Sequence, residues 1–353
     1  MKKPDCAWNL SDLADVPKNG VKVMSTFACG GGSTMGYTRA GCEVIAANDI
    51  DPEMAWHYKR NHAPKHYFLC PIRDLLTADL PPELFALDIL DGSPPCSTFS
   101  MAGSREKAWG KKKHFREGQA SQVLSDLFFD YLDLVERLKP KVAIAENVKG
   151  MILGNAKGYT KLVMDRFREI GYRPQLFLLN AADCGVPQRR ERVFFCGLRN
   201  DIAKPPLQLA PKHKWISAGE ATADFSPDYN DTSSIAEKEQ ARKWHATNPG
   251  EGLDSGCRRL GGKGNHFTHI KIDPSKPFPT ATAHDQMLRW DRPRKFTYRE
   301  WKRLGSFPDD YVAKTDKIGK YMIGMSVPPK MTEAVARAVC SQWLGVQYQN
   351  EAT

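Results

Sequence analysis

The sequence predicts an α/β fold, a doubly wound sheet followed by a smaller, loop-rich domain. Three observations carry that expectation. Short apolar and β-branched runs alternate with helical patterns from Val21 to Leu198, as strands joined by crossover helices do. The first strand feeds the glycine-rich stretch Ala28-Cys-Gly-Gly-Gly-Ser-Thr-Met-Gly36, and strand, glycine loop and helix together bring a ligand to backbone N–H groups. Beyond Leu198 the texture changes: up to about Arg289 the chain is rich in Pro, Gly, Asp, Asn and His, with few periodic runs.

Taken in order, residues 1–20 are a polar lead-in containing Pro4, Pro17 and Gly20, and the first strand spans 21–27. The glycine stretch follows, with helix expected from Tyr37. A second strand over 43–48 ends at Asp49-Ile-Asp51 and passes into a helix over 52–61, where Asp51 can cap and Pro52 suits the first helical position. A third strand near 66–69 leads to Cys70-Pro-Ile-Arg-Asp74. The fourth, in the apolar run 84–90, ends at Asp91-Gly-Ser-Pro-Pro-Cys96. Proline fixes φ and removes a donor, so Pro94 and Pro95 must turn the chain out of the sheet and present Cys96 at a strand's carboxyl end. Residues 101–118 carry Arg105, Lys107, Lys111, Lys112, Lys113 and Arg116 against Glu106 and Glu117, without apolar periodicity, which predicts a long loop. A helix over 121–138, a strand over 142–145, a helix over 159–170 and strands over 175–179 and 192–198 bring the total to six or seven strands. Further on, helices are expected over 297–304 and 331–344.

Composition narrows the function classes. With 353 residues and 41% hydrophobic content the chain can bury a full core divided between two domains. A formal net charge of +10 points to a polyanionic partner, most often nucleic acid. The nine cysteines form no C-x-x-C pair, so neither a zinc site nor a disulfide framework is legible and a reduced, cytoplasmic setting fits. No apolar run approaches the roughly 18 residues that span a bilayer, and neither signal peptide nor membrane anchor is expected.

Candidate chemistry gathers at strand ends, where open α/β sheets bind ligands. Alone, Cys96 is as consistent with a small buried apolar residue as with a nucleophile. Its company tips the balance: Lys141-Val-Ala-Ile-Ala-Glu-Asn-Val148 ends in the acid Glu146 and the amide Asn147, and Pro187-Gln-Arg-Arg-Glu-Arg192 brings Arg189, Arg190 and Arg192 to the start of a strand. Asp49, closing the second strand, is placed to accept hydrogen bonds from ribose hydroxyls. Gly30 and Gly32 match the first two glycines of the dinucleotide fingerprint, but Met35 holds the third place, which argues against an oxidoreductase.

The order of these motifs resembles the cytosine-C5 DNA methyltransferases over most of the chain, from Val21 to about Val339. Phe27-Ala-Cys-Gly-Gly-Gly resembles that family's cofactor loop, Pro95-Cys96 its nucleophile motif, Glu146-Asn147-Val148 its acid motif and Gln188-Arg-Arg-Glu-Arg192 its arginine motif. Lys276-Pro-Phe-Pro-Thr280, Thr297-Tyr-Arg-Glu300 and Gly305-Ser-Phe-Pro-Asp309 resemble the element that supports the recognition domain, and Gly324-Met-Ser-Val327 the last motif. The resemblance implies a Rossmann-like methyltransferase sheet over 1–198 completed by 320–353, a target-recognition domain over 199–290 and a hinge and support element over 291–319. It implies S-adenosylmethionine as cofactor, held by Phe27, Cys29, Gly30, Gly32, Asp49, Ile50, Ile72, Pro94, Leu127, Met325 and Ser326. Cys96 would add to cytosine C6, Glu146 would protonate N3, Arg192 would hold O2 and Arg190 would orient the acid or a phosphate, while Asn147 would brace the turn at Pro95-Cys96. Double-stranded DNA is the implied substrate, with the cytosine flipped out and contacted through Gln188, Arg105, Lys111, Lys112, Lys113, Arg258 and Arg259. A monomer acting on DNA, with a cognate restriction endonuclease as further partner, fits the same picture.

Four positions depart from the family pattern: Pro71 where an acid is usual, Ser97 for glutamine, Met325 for asparagine, and Ser125-Asp126 for a small-residue pair. All four fall around the expected cofactor pocket. RNA as substrate, and an idle DNA-binding module that has kept the fold, are the competing readings.

Overall fold

The computed structural model describes residues 4–95, 127–154, 156–225, 238–264, 269–283 and 286–348, together with the backbone of two short strands, Lys112–Lys113 and Gln122–Val123. Cys96, Ser97, Arg105, Lys111, Ser125 and Asp126, and the side chains of Lys112 and Lys113, lie outside the described residues. The chain divides into two compact units. The larger comprises Ser11–Asn180, Glu191–Lys212 and Pro329–Thr353, the other Met1–Leu10, Ala181–Arg190 and His213–Pro328.

The larger unit is built on a seven-stranded sheet. Its strands are β1 (Lys22–Thr26), β2 (Glu43–Asp49), β3 (His66–Leu69), β4 (Ile89–Gly92), β7 (Val142–Val148), β8 (Tyr172–Asn180) and β9 (Glu191–Arg199), in the order β3-β2-β1-β4-β7-β9-β8. Lys112–Lys113 (β5) and Gln122–Val123 (β6) pair separately as a two-stranded antiparallel ribbon. Six strands of the large sheet run in one direction, and β9, between β7 and β8, runs antiparallel to both neighbours. The order reverses between β1 and β4, so the carboxyl ends of these strands frame the crevice where doubly wound sheets take their ligands.

Each helix of this unit has a local cause. For α2 (Pro52–Asn61) the Asp51 carboxylate accepts from the N–H groups of Glu53 at 2.8 Å and Met54 at 3.3 Å, with proline in the first turn. Two expectations are corrected here. Helix α1 (Gly32–Arg39) starts at Gly32, not Tyr37, because Gly31 at φ 76° supplies the left-handed residue from which the helix begins. Helix α3 (Leu127–Leu138) does not extend back to 121 through Gln122 and Val123, which lie in β6. Helix α4 (Ala156–Glu169) starts slightly before its expected position, and α10 (Pro329–Gln342) opens on proline. At Gly36 of α1 a side chain would run into the Pro329 carbonyl and Thr332, so glycine lets α1 and α10 lie close together. The main core packs Met24, Ala46, Leu90, Leu132, Val135, Ala143, Val193 and Phe195 between sheet and helices.

The other unit is sparing in regular structure. It holds α5 (Ala218–Ala221), α6 (Lys238–His245), α7 (Leu253–Arg259), the short pair β10 (Ile270–Lys271) and β11 (Met287–Leu288), α8 (Tyr298–Leu304) and α9 (Asp316–Met325). Charged groups are buried beside its apolar residues. Arg303, 0% exposed, meets Asp224 at 3.1 Å and Asp309 at 2.6 Å, while Glu300 takes Arg294 at 2.8 Å, takes Arg289 as well and closes a capping box with Thr297. Helix α9 was not expected from the sequence. Its glycines lower helix propensity, but a side chain at Gly319 would overlap Tyr298 and one at Gly324 the Thr282 carbonyl, so packing requires them.

Candidate active site

At the reversal point β1 hands over to a loop of unusual backbone. Phe27 at φ 53°, Cys29 at 47° and Gly31 at 76° fold it back on itself, and Ala28 donates its N–H to Asn48 O at 3.0 Å. Asp49, at the end of β2, accepts from Cys29 N at 2.7 Å and Asp51 N at 2.9 Å. Burial pushes its carboxyl up to about 6, against the pull of those backbone donors. The expected ribose acceptor is therefore also the brace of the loop. His62, which no local signal singles out, is partly buried behind the loop with its ring where a Gly31 side chain would go. Burial pushes its imidazole down to about 4, so it is neutral there.

Pro94 is buried and its carbonyl accepts from Asn147 Nδ2 at 3.0 Å, which ties the turn out of β4 to the end of β7. The register between β7 and β9 sets Glu146 opposite Phe194 and Val148 opposite Arg192, so Glu146 and Arg192 are diagonal neighbours on one face. Arg192 Nε lies 2.9 Å from Glu146 Oε1, and Glu146 is only 8% exposed. Arg192, expected to hold the base, thus holds the acid. Ile72 and Leu127 are buried in the main apolar cluster, Phe27 packs against it partly buried, and Ile50 is partly exposed beside Asp49. Pro71, in the place of the usual acid, precedes the 3₁₀ turn Ile72–Leu76, and Asp74 within that turn is exposed.

Arg190, Gln188, Met325, Ser326, Arg258 and Arg259 belong to the other unit. Two expectations change there. Gln188, expected to face DNA, is 1% exposed and bonds the Ala281 N–H at 3.1 Å and Leu304 O at 3.3 Å. Its amide clamps chain segments together. Arg190, expected to orient the acid or a phosphate, is also buried and donates to Ala281 O at 2.7 Å and Gly324 O at 3.0 Å. Its neighbour Arg189 alternates outward and is exposed. Ser326 is buried with its hydroxyl on Met322 O at 2.8 Å, whereas Met325 is 49% exposed. Arg259 pairs with Glu251 at 2.6 Å, and Arg258 with Asp254 one helical turn away, both at the surface.

The model of the C-5 cytosine-specific DNA methylase family matches residues 21–341. The chain belongs to that family. Curated relatives include the type II methyltransferase M.FnuDI of Fusobacterium nucleatum, 36% identical over 90% of this chain and 94% of its own length. Another is the type II methyltransferase M.NgoFVII of Neisseria gonorrhoeae, 28% identical over 94% of this chain and 88% of its own. Among solved structures, a prophage-encoded protein of Escherichia coli assigned as a DNA modification methyltransferase superposes with a TM-score of 0.71 at 18% identity, covering 92% of this chain and 99% of that one. Spodoptera frugiperda DNMT2 superposes with a TM-score of 0.64 at 17% identity, covering 91% of this chain and 99% of that one. These two likenesses establish the shared fold, and the family makes the chain a DNA (cytosine-5)-methyltransferase.

A family member takes its methyl group from S-adenosylmethionine, and the loop beside Asp49 has the chemistry for it. The first turn of α1 leaves N–H groups without intrahelical partners, which suits a carboxylate. Asp49 uses its lone pairs on the N–H groups of Cys29, Asp51 and Ile50, and a carboxylate accepts about four bonds, so one site remains for a hydroxyl. Among the described residues no cluster of His, Cys, Asp and Glu could hold a metal ion, and no helix is long and apolar enough to cross a membrane.

Proposed function

We propose that this methyltransferase acts on a cytosine flipped out of duplex DNA, with Cys96 as nucleophile and Glu146 as the acid. The carrying observation is the grouping at the ends of β4 and β7. Asn147 holds the Pro94 carbonyl two residues before Cys96, and Arg192 fixes the adjacent Glu146. Cytosine C5 is a poor nucleophile. Addition of the Cys96 thiolate to C6 breaks the C5–C6 π bond and drives electron density through the ring to N3, where a proton from Glu146 neutralises it and leaves C5 electron-rich. S-adenosylmethionine supplies the methyl group to C5. Loss of the C5 proton to solvent water, expulsion of the Cys96 thiolate and return of the N3 proton to the Glu146 carboxylate then restore the aromatic ring and both side chains. Arg192 keeps Glu146 in place through this sequence and excludes water from its buried side.

Sequence recognition is assigned to 199–290, whose surface arginines Arg258 and Arg259 have acidic neighbours within reach to hold them extended. Lys111, Lys112 and Lys113 are assigned to the phosphate backbone. Relatives named as type II methyltransferases support a place beside a cognate restriction endonuclease. A monomer acting in the cytoplasm is part of the same proposal.

Duplex DNA carrying 5-fluorocytosine at a methylatable site tests the mechanism, because fluorine cannot leave C5 as a proton does. Wild-type protein with S-adenosylmethionine should form a denaturant-resistant complex, and Cys96→Ser should form none. Absence of the complex with wild type, at a site shown by bisulfite sequencing to be methylated, would remove Cys96 as nucleophile.

A further inference from the structure

In the middle of the sheet, β4 carries a buried acid that the methyl-transfer chemistry does not use. Asp91 is 3% exposed, and its carboxylate accepts from Ser25 Oγ at 2.9 Å and Tyr37 Oη at 3.0 Å, with Ser33 as a further hydrogen-bond donor. Ser25 lies two residues before Phe27, and Ser33 one residue after Gly32. The carboxylate is therefore gripped from both ends of the cofactor loop, and its own backbone carbonyl accepts from Thr26 Oγ1 at 2.9 Å. A side chain at the next residue, Gly92, would overlap the Tyr131 ring, so the strand is wedged tightly against α3 at this point.

A carboxylate in a strand centre is costly, since desolvation opposes its charge, and a neutral residue would pack there with less penalty. The ligand of the loop provides a reason for an acid. S-adenosylmethionine carries a positive sulfonium, and the product S-adenosylhomocysteine is the same molecule with a neutral thioether.

We propose that Asp91 is a positioning residue of the cofactor loop whose buried negative charge favours the cationic methyl donor over its neutral product. The proposal rests on the assignment of S-adenosylmethionine to this loop. It makes Asp91 a means of product release: once the methyl group has left, the electrostatic attraction is gone.

The titratable groups facing Asp91 are Tyr37 of α1, Tyr58 of α2, Tyr131 of α3 and Glu146 of β7, with Cys196 of β9 beside Tyr37 and Tyr131. Burial pushes the three tyrosines well above their ordinary values and Cys196 up to about 12, so all four are neutral around pH 7. Burial also pushes Asp91 itself up to about 7, with Glu146 adding to the rise, so its charge changes in the neutral range.

The test is calorimetric titration of the full-length enzyme with S-adenosylmethionine and with S-adenosylhomocysteine, each from pH 5.5 to 8.5. In wild type the preference for the methyl donor should grow about tenfold as pH rises through about 7, the order of effect expected of one buried charge. Asp91→Asn should bind the product within about twofold of wild type, bind the donor about tenfold more weakly and show a ratio independent of pH. Equal weakening of both ligands in that variant, or a wild-type ratio that does not move with pH, overturns the proposal. If neither ligand binds wild type, the cofactor assignment falls and this proposal with it.

Discussion

Arg192 Nε lies 2.9 Å from Glu146 Oε1, diagonally across the antiparallel pair β7 and β9. Both side chains are largely buried, so each depends on the other: removing one leaves an uncompensated polar group in a poorly solvated place. Arg192→Ala should lower kcat about 100-fold or more, the range of lost general acid catalysis, with DNA affinity changed less than tenfold. Glu146→Gln should lose methylation to a similar degree, since an amide has no acidic proton to give N3. Single-turnover methylation and fluorescence anisotropy on the same DNA separate the two effects. A variant that turns over near the wild-type rate takes its residue out of the mechanism.

Asn147 offers a second test, one step from the chemistry. Its Nδ2 donates to Pro94 O at 3.0 Å and its Oδ1 accepts from Val148 N at 2.9 Å. Asn147→Ala would leave a buried carbonyl unsatisfied, at a cost of about 1–3 kcal/mol, and would free the turn that leads to Cys96. The expected result is slower adduct formation with 5-fluorocytosine DNA at unchanged cofactor affinity. Equal loss of both would mean that Asn147 supports the fold in general and not that turn.

The succession of strands along the chain was legible because it rests on local signals: β-branched runs, the Asp51-Pro52 cap, and prolines that cannot continue a strand. The bracing role of Asn147 was implied by the family resemblance and by no local signal. What could not be read is the direction of each arginine. Arg189, Arg190 and Arg192 look equivalent in sequence, yet Arg190 is buried on two carbonyls, Arg192 is paired with Glu146 and Arg189 is exposed. Alternation along an extended chain decides this, and only the register fixes its phase. Gln188 misled for the same reason. Helix α9 was hidden because Gly319 and Gly324 satisfy neighbours distant in sequence, and His62 because nothing local marks a histidine that packs behind a glycine. Asp91 did leave a trace, a charge closing an otherwise apolar strand.

The loop geometry makes Gly31 a sensitive position. Its φ of 76° is strained for an L side chain, and a Cβ would overlap the His62 ring. Gly31→Ala should weaken S-adenosylmethionine binding at least about tenfold, given about 1–3 kcal/mol for such backbone strain. His62→Ala in the same chain should restore part of the affinity by opening the space. Calorimetry on the single and double variants checks this, and no recovery in the double variant would assign the loss to the backbone alone.

Arg303 tests the charged core of the other unit. It is fully buried between Asp224 and Asp309. Arg303→Met should destabilise that unit by about 3–5 kcal/mol because it strands two carboxylates. The triple variant with Asp224→Asn and Asp309→Asn should recover much of the loss. Thermal unfolding followed by tryptophan fluorescence reads this directly, and a single variant that melts like wild type would show the cluster to be solvated.

Asp91 also makes a stability prediction that is independent of any ligand. Its folded value, about 7, lies above its ordinary value of 3.8, so between about pH 4 and 7 the native state binds a proton that the unfolded chain has released. Stability must therefore fall as pH rises through that window, by up to about 1.4 kcal/mol per pH unit. Asp49, pushed up to about 6, acts in the same sense over a narrower range. His62 acts in the opposite one: pushed down to about 4 from 6.5, it costs stability as pH falls between those values. The raw stability curve mixes all three groups, so the informative quantity is the difference between wild type and Asp91→Asn. Wild type should gain on the variant as pH is lowered from 7 toward 4 and run parallel to it above about 7.5. Urea unfolding at half-unit pH steps measures that difference. Parallel curves throughout would mean that Asp91 ionises in the native state as it does in the unfolded chain, and that Ser25, Ser33 and Tyr37 solvate its charge fully.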